Sequence, residues 1–375
     1  MNRRIKVLHI VGKMHPGGIE TLLMNIYRHI DRSKYEFHFG VQTEEKAFYD
    51  DEIAELGGKI VRQPHPKEGL WAYRRALVAN IREHGPYDAI HSHIFGFSGY
   101  VLKVAKELGV PVRISHSHNT QDSRRTNWLR SLYRAHMRRL IRSHATGMLG
   151  CSNEACESLF GGDCWRDERV KVFPNAIDPA PYAALQTKRS ALKSRLDLPD
   201  DAVAIGHIGR FSPQKNHAFL LERFADFRRV RPEAYLILIG DGPLRAQIEA
   251  QAAALGLGDS VRFLGVRKDV PQLLGALDLF VLPSLYEGLG IVLIEAQAAG
   301  VPCLVSDRVP PAADLGIGLM KRLSLTDGAE RWTDLMLRLT GGSDSVDWPS
   351  RHQALMTHGY DIGQSVQRLE RMYGG

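Results

Sequence analysis

Short apolar segments alternate with helical segments along almost the whole chain, and no other feature of the sequence constrains the fold as strongly. Segments such as "IKVLHIVG", "YDAIHSH" and "VPVRISHSH" have the length and composition of buried strands. The stretch from Glu20 to Ile30 is typical of a helix that connects two such strands. Strands that alternate with helices predict an α/β fold with a parallel, doubly wound sheet.

The alternation pauses once, at "FPNAIDPAPYAAL", and then starts again with "AVAIGHIGRF", "AYLILIGDG" and "LDLFVLPS". Prolines and small residues at this pause are typical of a hinge. A chain of 375 residues is long enough for two hydrophobic cores. We therefore expect two Rossmann-like domains, 1–177 and 178–354, that face each other across a cleft. Ligands of such sheets bind beyond the carboxyl ends of the strands.

Composition limits the compartment and the kind of partner. Lys and Arg number 49 against 42 Asp and Glu, and the resulting charge of +7 favours an anionic partner. The four cysteines form no CxxC pair, which is typical of reduced thiols in a cytoplasmic protein. No apolar stretch approaches the roughly 18 residues of a membrane span. We expect no nucleic-acid partner, because the sequence has no motif for one.

Two strand-to-helix junctions carry groups that suit a phosphate. At "GKMHPGGIETLL" the amides near Gly17 and Gly18 would lie at a helix N-terminus, although a tight turn explains the same residues equally well. At "GRFSPQKNH" a forked donor, Arg210, and a point charge, Lys215, would stand at one junction and suit a diphosphate. The alternative there is a pair of solvated loop cations, and we favour the diphosphate.

The segment "SLYEGLGIVLIEAQAAG" places two carboxylates around an otherwise apolar helix. Burial of an ionised carboxylate without a partner is costly. We therefore expect Glu287, in the loop, and Glu295, about two turns into the helix, to point into a binding cleft. Carboxylates accept hydrogen bonds from sugar hydroxyls. The amides of Leu289 and Gly290 would lie at the start of this helix, where phosphate oxygens bind.

Four histidines end two of the predicted strands, His91 and His93 in "IHSHIF" and His116 and His118 in "SHSHNT". Alternate residues of a strand share a face, so each pair could present two imidazoles together. The four could bind a metal ion. Because Asp122 is the one acidic residue beside them in the sequence, we favour the lining of a polar cleft over a metal site.

These motifs, in this order, resemble the retaining glycosyltransferases of family 4 (glycosyl transferases group 1), which have the GT-B fold. The matching segments are "PGGIE", "YDAIHSH", "SHSHN", "FPNAID", "GRFSPQKNH", "LIGDGPL", "VRFLG", "LDLFVLPSLYEGLGIVLIEAQAAG" and "VPCLVSD". The block with two glutamates separated by seven residues is the most specific of them. The "RISHSHNT" form resembles the branch that builds bacterial exopolysaccharides or capsules.

The resemblance implies that the domain 1–177 binds the acceptor and the domain 178–354 binds the nucleotide sugar. A C-terminal helix near 355–375 would pack back onto the first domain, as it does in such relatives. Glu295 would bind the ribose hydroxyls, and Glu287 would contact the transferred sugar.

The resemblance also places the diphosphate of the donor on Arg210 and Lys215 and on the amides of Leu289 and Gly290. Glycosyl transfer expels a nucleoside diphosphate, so negative charge that develops on the phosphate must be stabilised. Many transferases use a metal held by Asp-x-Asp, and the sequence contains no such triplet. We therefore expect no cofactor and no metal, with the cations and amides in its place.

Three further contacts with the donor follow from the resemblance. Backbone near Phe263 and Leu264 would meet the base. Gly17 and Gly18 would lie close to the donor phosphates. His118 would contact the sugar near the reacting carbon.

The expected function is retaining, metal-independent transfer of a hexosyl unit from a nucleotide sugar to a glycan or polyprenyl-linked saccharide, in the synthesis of cell-surface polysaccharide. His118 and Glu287 are the candidate catalytic residues, and the pattern gives no general base. The segment "DRVPPAADLGIGLM" lacks the Gly-Gly-x-x-Glu of many relatives, so the family pattern does not specify the donor, and a UDP-sugar is taken as the default. The alternatives are a metal-dependent hydrolase that uses the histidines and a protein that binds a nucleotide sugar without turnover.

One predicted helix, from Ser123 to Ala145, contains seven arginines and no acid. Its apolar residues fall mainly on one side, and they are Trp128, Leu129, Leu132, Met137, Leu140 and Ile141. Such a helix either packs on its own domain with a solvated basic face or docks on anionic lipids, where each cation contributes about 1 kcal/mol. A cytoplasmic enzyme with a lipid-linked acceptor would work at the inner face of the membrane.

Overall fold

The structure, a computed structural model, divides into two units. It describes residues 3–118, 127–185, 189–199, 201–342 and 345–374. The first unit comprises Met1–Ile177 and Gly359–Gly375, and the second comprises Asp178–His358. Each unit contains a parallel sheet flanked by helices.

The strands of the first unit are short and mostly apolar. They are β1 (Ile5–Ile10), β2 (Tyr35–Val41), β3 (Lys59–Arg62), β4 (Ala89–Ser92), β5 (Val112–Ser117), β6 (Gly147–Gly150) and β7 (Val170–Val172). They pair in the order β3-β2-β1-β4-β5-β6-β7, and every pair is parallel. Because helices cover both faces of such a sheet, its central strands β1, β4 and β5 are mostly buried, including the histidines and serines that they carry.

The second unit has a six-stranded sheet of the same kind. Its strands are β8 (Val203–Ile208), β9 (Ala234–Ile239), β10 (Val261–Gly265), β11 (Leu279–Leu282), β12 (Cys303–Ser306) and β13 (Met320–Leu323). They pair in the order β10-β9-β8-β11-β12-β13, so β8 and β11 are neighbours. This is the strand order of a Rossmann-like fold, in which the order reverses beside the first strand. The predicted α/β, doubly wound architecture is therefore confirmed in both units.

Helices connect the strands and continue to the C-terminal end of the described chain. They are α1 (Gly18–His29), α2 (Asp50–Glu55), α3 (Leu70–His84), α4 (Ser98–Glu107), α5 (Trp128–His144), α6 (Asn153–Phe160), α7 (Arg189–Ser194), α8 (His217–Val230), α9 (Arg245–Ala254), α10 (Val270–Gly275), α11 (Ile291–Ala298), α12 (Ala329–Gly341), α13 (Trp348–Thr357) and α14 (Ile362–Tyr373). Among the described residues, no helix has both the length and the apolar character needed to cross a bilayer.

The last helix, α14, is part of the first unit and packs against α1. Its buried residues Ile362, Val366, Leu369 and Tyr373 recur at the spacing of one helical face. The hydroxyl of Tyr373 lies 2.6 Å from Nδ1 of the buried His91. The end of the chain therefore contributes to the core beneath the carboxyl ends of β1 and β4.

Candidate active site

A charged pair lies beyond the carboxyl ends of β8 and β11. Lys215 ends a short 3₁₀ helix after β8, and Glu287 lies in the loop after β11. The two loops meet because their strands are neighbours in the sheet. Lys215 Nζ is 2.6 Å from Glu287 Oε1, and the two side chains are only 16% and 5% exposed. Ser284 Oγ donates to the same oxygen at 2.6 Å, and Gln214 Nε2 lies 3.4 Å from the other oxygen.

Glycines allow the loops around Lys215 to approach closely. A Cβ built at Gly209 would lie 3.1 Å from the aliphatic carbons of Lys215, so the lysine stem covers this glycine. Gly240 has a φ of 132° and lies against the carbonyl oxygen of Gly209, where any side chain would collide. The glycine at position 240 of the "LIGDGPL" segment thus allows the loop after β9 to lie directly against the loop after β8.

Arg210 is the second cation predicted for a diphosphate. Its side chain is exposed and makes no hydrogen bond or ion pair with any described residue. Arg210 and Lys215 therefore leave the end of the same strand, but only the lysine is held by a carboxylate. Their joint contact with a diphosphate stays a prediction.

The start of α11 presents backbone donors. Gly290 takes a left-handed conformation with φ 79° immediately before the helix, and Leu289 is 5% exposed. Within the described ranges, the amides of Leu289 and Gly290 donate no hydrogen bond. Unpaired amides at the start of a helix are available to an anion.

Glu295 lies within α11 and is half-buried beside the hydroxyl of Tyr182. Burial raises the pKa of Glu295 to about 7, and the hydrogen bond from Tyr182 opposes this rise. Burial and the neighbouring Glu295 raise the pKa of Tyr182 well above its usual range. The two glutamates of the sequence motif thus have different partners, Lys215 for Glu287 and Tyr182 for Glu295. Sequence reasoning missed Tyr182, which lies four residues after "FPNAID" and in none of the matching segments.

Phe263 and Leu264 are half-buried in β10, the edge strand of the second sheet. The pairing of β10 with β9 shifts register between Phe263 and Gly265. An edge strand offers backbone N–H and C=O groups on its outer side. Such groups could meet a base, and this contact stays a prediction.

Gly17 and Gly18 are exposed and begin α1 in the first unit. Glu20 follows in the first helical turn, and a Cβ at Gly17 would lie 2.5 Å from its Oε2. Burial raises the pKa of Glu20 to about 7, although a backbone hydrogen bond and the charge of Lys13 both lower it. Sequence reasoning missed Glu20 as a site residue even though it is part of "PGGIE". An ionised acid at this position would oppose a phosphate, whereas a protonated one could donate to it.

His118 belongs to a cluster of buried histidines at the carboxyl ends of β1, β4 and β5. The cluster contains His9, His91, His93, His116 and His118. Burial lowers the pKa of all five, to about 3 for His9 and about 4 for His118, so the rings are neutral near pH 7. Sequence reasoning missed His9, a single histidine in an apolar segment. The β1–β4 register places it opposite His91.

Ring nitrogens of this cluster are hydrogen-bonded in series. His9 Nδ1 lies 3.2 Å from His93 Nε2, and His93 Nδ1 lies 2.9 Å from His118 Nε2. His118 Nδ1 in turn lies 3.4 Å from Asn175 Oδ1. Asn175 also lies near Gly18, where a Cβ would be 3.8 Å from its Nδ2. The series thus connects the core of the first unit to the glycines before α1.

Two groups of these histidines could hold a metal ion, His9 with His91 and His93, and His93 with His116 and His118. In each group the ring nitrogens lie within 4.8 Å of one another. However, the rings of His91 and His93 stack at 4.3 Å and 29°, and those of His116 and His118 lie 4.0 Å apart at 33°. The series of hydrogen bonds explains the short distances without an ion, and the absence of a metal stays a prediction.

The basic helix α5 borders a cavity of about 450 Å³ in the first unit. Residues 123–126 of the predicted helix lie outside the described residues. The cavity is lined by the cations Lys67, Arg130, Arg134 and Arg138, and by Ile94, Phe95, Phe97 and Leu159 among apolar residues. No carboxylate contributes to the described lining. Three of the arginines recur every four residues, so they share one face of α5.

Exposed apolar side chains of the first unit are concentrated on α3 and α5, and one of them, Tyr133, lines this cavity. In the first unit, six of the seven large apolar residues found exposed among the described residues lie on α3 or α5, and they are Leu70, Trp71, Trp128, Leu129, Leu132 and Tyr133. Both helices follow strands of a parallel sheet, so both begin at the edge where the strands end. Met137 and Ile141 are buried, so the apolar residues predicted for one side of α5 are divided between the core and the surface.

Two family models match the chain, one in each half. "Glycosyltransferase Family 4" matches residues 16–181, and "Glycosyl transferases group 1" matches residues 188–317. EpsF of Bacillus subtilis (strain 168), a protein assigned as a glycosyltransferase, is 38% identical over 372 residues, which cover 98% of this chain and 96% of EpsF. The chain therefore belongs to the family 4, group 1 glycosyltransferases.

A second relative is the UDP-Gal:alpha-D-GlcNAc-diphosphoundecaprenol alpha-1,3-galactosyltransferase of Escherichia coli. It is 27% identical over 227 residues, which cover 59% of this chain and 58% of the relative. The solved structure of Anabaena HepE in complex with UDP and glucose has a TM-score of 0.75 at 22% identity and covers 99% of this chain and 100% of HepE. WaaG, a glycosyltransferase involved in lipopolysaccharide biosynthesis, gives 0.72 at 17% identity, with 98% of this chain and 100% of WaaG covered.

The likeness to HepE and WaaG shows the fold and confirms the predicted GT-B class. The family resemblance is confirmed as well, and the chain is a glycosyltransferase. These comparisons do not favour the metal-dependent hydrolase that the histidines had left open.

Proposed function

We propose that the protein transfers a hexosyl unit from a UDP-sugar to a lipid-linked saccharide, with retention of configuration and without a metal, in the synthesis of a cell-surface polysaccharide. The name of the Escherichia coli relative specifies a UDP-sugar donor and a diphosphoundecaprenol-linked acceptor. HepE was crystallised with UDP and glucose. These partners support the same classes of donor and acceptor for this chain.

The Lys215–Glu287 pair is the observation that carries the proposal. In this pair a half-buried ammonium group lies beside a carboxylate that also accepts from Ser284. On donor binding, the ammonium would bind the diphosphate together with the exposed Arg210 and the unpaired amides that precede α11. Glu287 would keep the bond from Ser284 and accept a second one from a sugar hydroxyl.

The same groups explain how the leaving group departs without a metal. Charge develops on the diphosphate as the glycosidic bond breaks, and fixed cations and amide dipoles stabilise this charge best in a site that excludes water. The acceptor hydroxyl would attack from the face that the diphosphate leaves, and a phosphate oxygen would take its proton. Glu295, held by Tyr182, would accept bonds from the ribose hydroxyls.

The first unit would bind the acceptor, and its surface around α5 would dock on an anionic membrane. The cavity beside Lys67 and Arg134 has the charge to hold a phosphate group that links a saccharide to a lipid. Trp128 and Leu132, which are 71% and 60% exposed, and Trp71, which is 84% exposed, would enter the lipid interface. Exposed apolar side chains beside cations are typical of such a surface.

A panel of UDP-, GDP- and ADP-sugars, each tested for thermal stabilisation and for transfer to a polyprenyl-diphosphate saccharide, tests the donor and the reaction together. A ligand that binds the folded state raises the melting temperature. We expect a UDP-sugar to stabilise the protein and to be consumed. The anomeric proton coupling of the product should show the configuration of the donor, and the rate should be unchanged by EDTA.

Two outcomes would contradict the proposal. Stabilisation by a UDP-sugar with no transfer to any saccharide acceptor would mean that the protein binds the nucleotide sugar without turnover. Transfer that requires a divalent ion, or a product of inverted configuration, would mean that the cations and amides do not stabilise the leaving group in the proposed way.

A further inference from the structure

Three buried imidazoles connect the interior of the first unit to His118. His9, His93 and His118 are 0%, 5% and 8% exposed. The hydrogen bonds that join them measure 3.2 Å and 2.9 Å. The series ends at Asn175 Oδ1, 3.4 Å from His118 Nδ1.

A neutral imidazole has one donor nitrogen and one acceptor nitrogen, so the donor–acceptor direction of one hydrogen bond in the series fixes the tautomers of all three rings. His9 Nε2 decides this choice, because it is buried and has no hydrogen-bond partner among the described residues. A buried N–H group without a partner is rarer than a buried acceptor without one. His9 therefore carries its proton on Nδ1 and donates it to His93.

The remaining protons follow from this assignment. His93 accepts at Nε2 and donates from Nδ1 to Nε2 of His118. Because Nε2 of His118 is then an acceptor, His118 carries its own proton on Nδ1, which faces the amide oxygen of Asn175. The 3.4 Å separation makes this last bond weak, so an oxygen of a ligand can replace Asn175 as the acceptor.

We propose that His93 and His9 are positioning residues that hold His118 as an Nδ1–H donor toward the transferred sugar. His118 would then orient a sugar oxygen by donating a hydrogen bond, and it would not act as a general base. This inference rests on the proposed function, because the placement of His118 beside the donor sugar comes from it. The low pKa values of the three rings agree with a series that stays neutral at the pH of the reaction.

The tautomer can be measured without any activity assay. Two-bond proton–nitrogen NMR spectra of the ¹⁵N-histidine-labelled protein distinguish a protonated ring nitrogen from an unprotonated one, and the spectrum of His118→Gln assigns the signals. We expect Nδ1 of His118 to be protonated and Nε2 to be unprotonated. Protonation at Nε2, a charged ring at pH 7.5, or stoichiometric zinc bound through these nitrogens would overturn the inference.

Substitutions then test whether His93 sets this state. His93→Leu removes the donor, whereas His93→Asn keeps an N–H close to the position of Nδ1. His91→Leu is the matched control, because His91 is equally buried two residues earlier and bonds to Tyr373 instead of His118. We expect His93→Leu to mix the tautomers of His118 and to lower kcat about tenfold, the effect of one hydrogen bond. His93→Asn should restore most of kcat, and His91→Leu should leave the His118 spectrum unchanged.

The results separate two kinds of failure. If His93→Leu changes the tautomer of His118 but leaves kcat and KM unchanged, His118 has no role in transfer, and its place in the proposed function fails. If the tautomer is the same in His93→Leu as in the unchanged protein, the positioning role fails while the proposed function stands. If His93→Leu does not fold, the spectrum of the unchanged protein and that of His93→Asn still decide the tautomer.

Discussion

Replacement of Lys215 by Met should damage both stability and transfer. Breaking a buried ion pair costs about 3–5 kcal/mol, because it leaves the other charge buried. Glu287 would keep its bonds from Ser284 and Gln214, so the lower end of this range, about 3 kcal/mol, is expected. For a unit of this size such a loss lowers the melting temperature by about 6–12 °C. If Lys215 also stabilises the leaving diphosphate, kcat should fall by a factor of about 10²–10³.

Lys193→Met is the matched control for this experiment. Lys193 Nζ lies 2.7 Å from Asp278 in the same unit, and the two side chains are 9% and 16% exposed. This substitution should cost similar stability and leave kcat and the stabilisation by UDP intact. Unfolding followed by calorimetry, together with initial rates below the melting temperature, gives both quantities. Equal loss of stability in the two variants with full transfer by Lys215→Met would refute the reasoning, because Lys215 would then be purely structural.

Three further predictions concern other groups. In the unchanged protein, protonation of Glu295, whose pKa is about 7, should raise the KM of the donor by up to about tenfold between pH 8 and pH 6. Glu295→Gln should abolish this rise. Persistence of the rise in the variant would contradict the role of Glu295. Because burial raises the pKa of Glu20 to about 7, ionisation of this carboxyl destabilises the folded protein as the pH rises toward 7 and above. Glu20→Gln removes the ionisable group, so it should raise the melting temperature at pH 8 but not at pH 4.5, and calorimetry at both pH values checks this. Trp128→Ala should weaken flotation with anionic liposomes at low salt. Trp165→Ala should not, because Trp165 lies outside α3 and α5 although it is also exposed, at 43%. Equal flotation of both variants and the unchanged protein would count against docking through α5.

Local sequence patterns were sufficient to predict the two α/β units and the strand ends that carry the candidate site. Buried parallel strands need apolar runs, and their loops need glycine where two backbones meet, as at Gly240. Both requirements are visible in single segments of sequence. The family motifs assigned Lys215 and Glu287 to the same nucleotide sugar, whereas the adjacency of their strand ends and their direct contact depend on the pairing of β8 with β11.

Features that depend on the register of distant segments could not be predicted in this way. His9 joins the histidine cluster only because β1 lies beside β4, and Tyr182 meets Glu295 only through the fold of the second unit. The raised pKa values of Glu20 and Glu295 are also results of burial, which a motif does not reveal. Trp128 fits an amphipathic helix in sequence, yet the structure leaves it exposed.

A crystal structure of the protein with a bound UDP-sugar tests the central claim most directly. The account predicts that Lys215 Nζ leaves Glu287 and lies within hydrogen-bond distance of a phosphate oxygen, with the amides of Leu289 and Gly290 on the same diphosphate. It also predicts that Glu287 contacts a sugar hydroxyl. A nucleotide bound elsewhere, with Lys215 Nζ still 2.6 Å from Glu287 Oε1, would contradict the account.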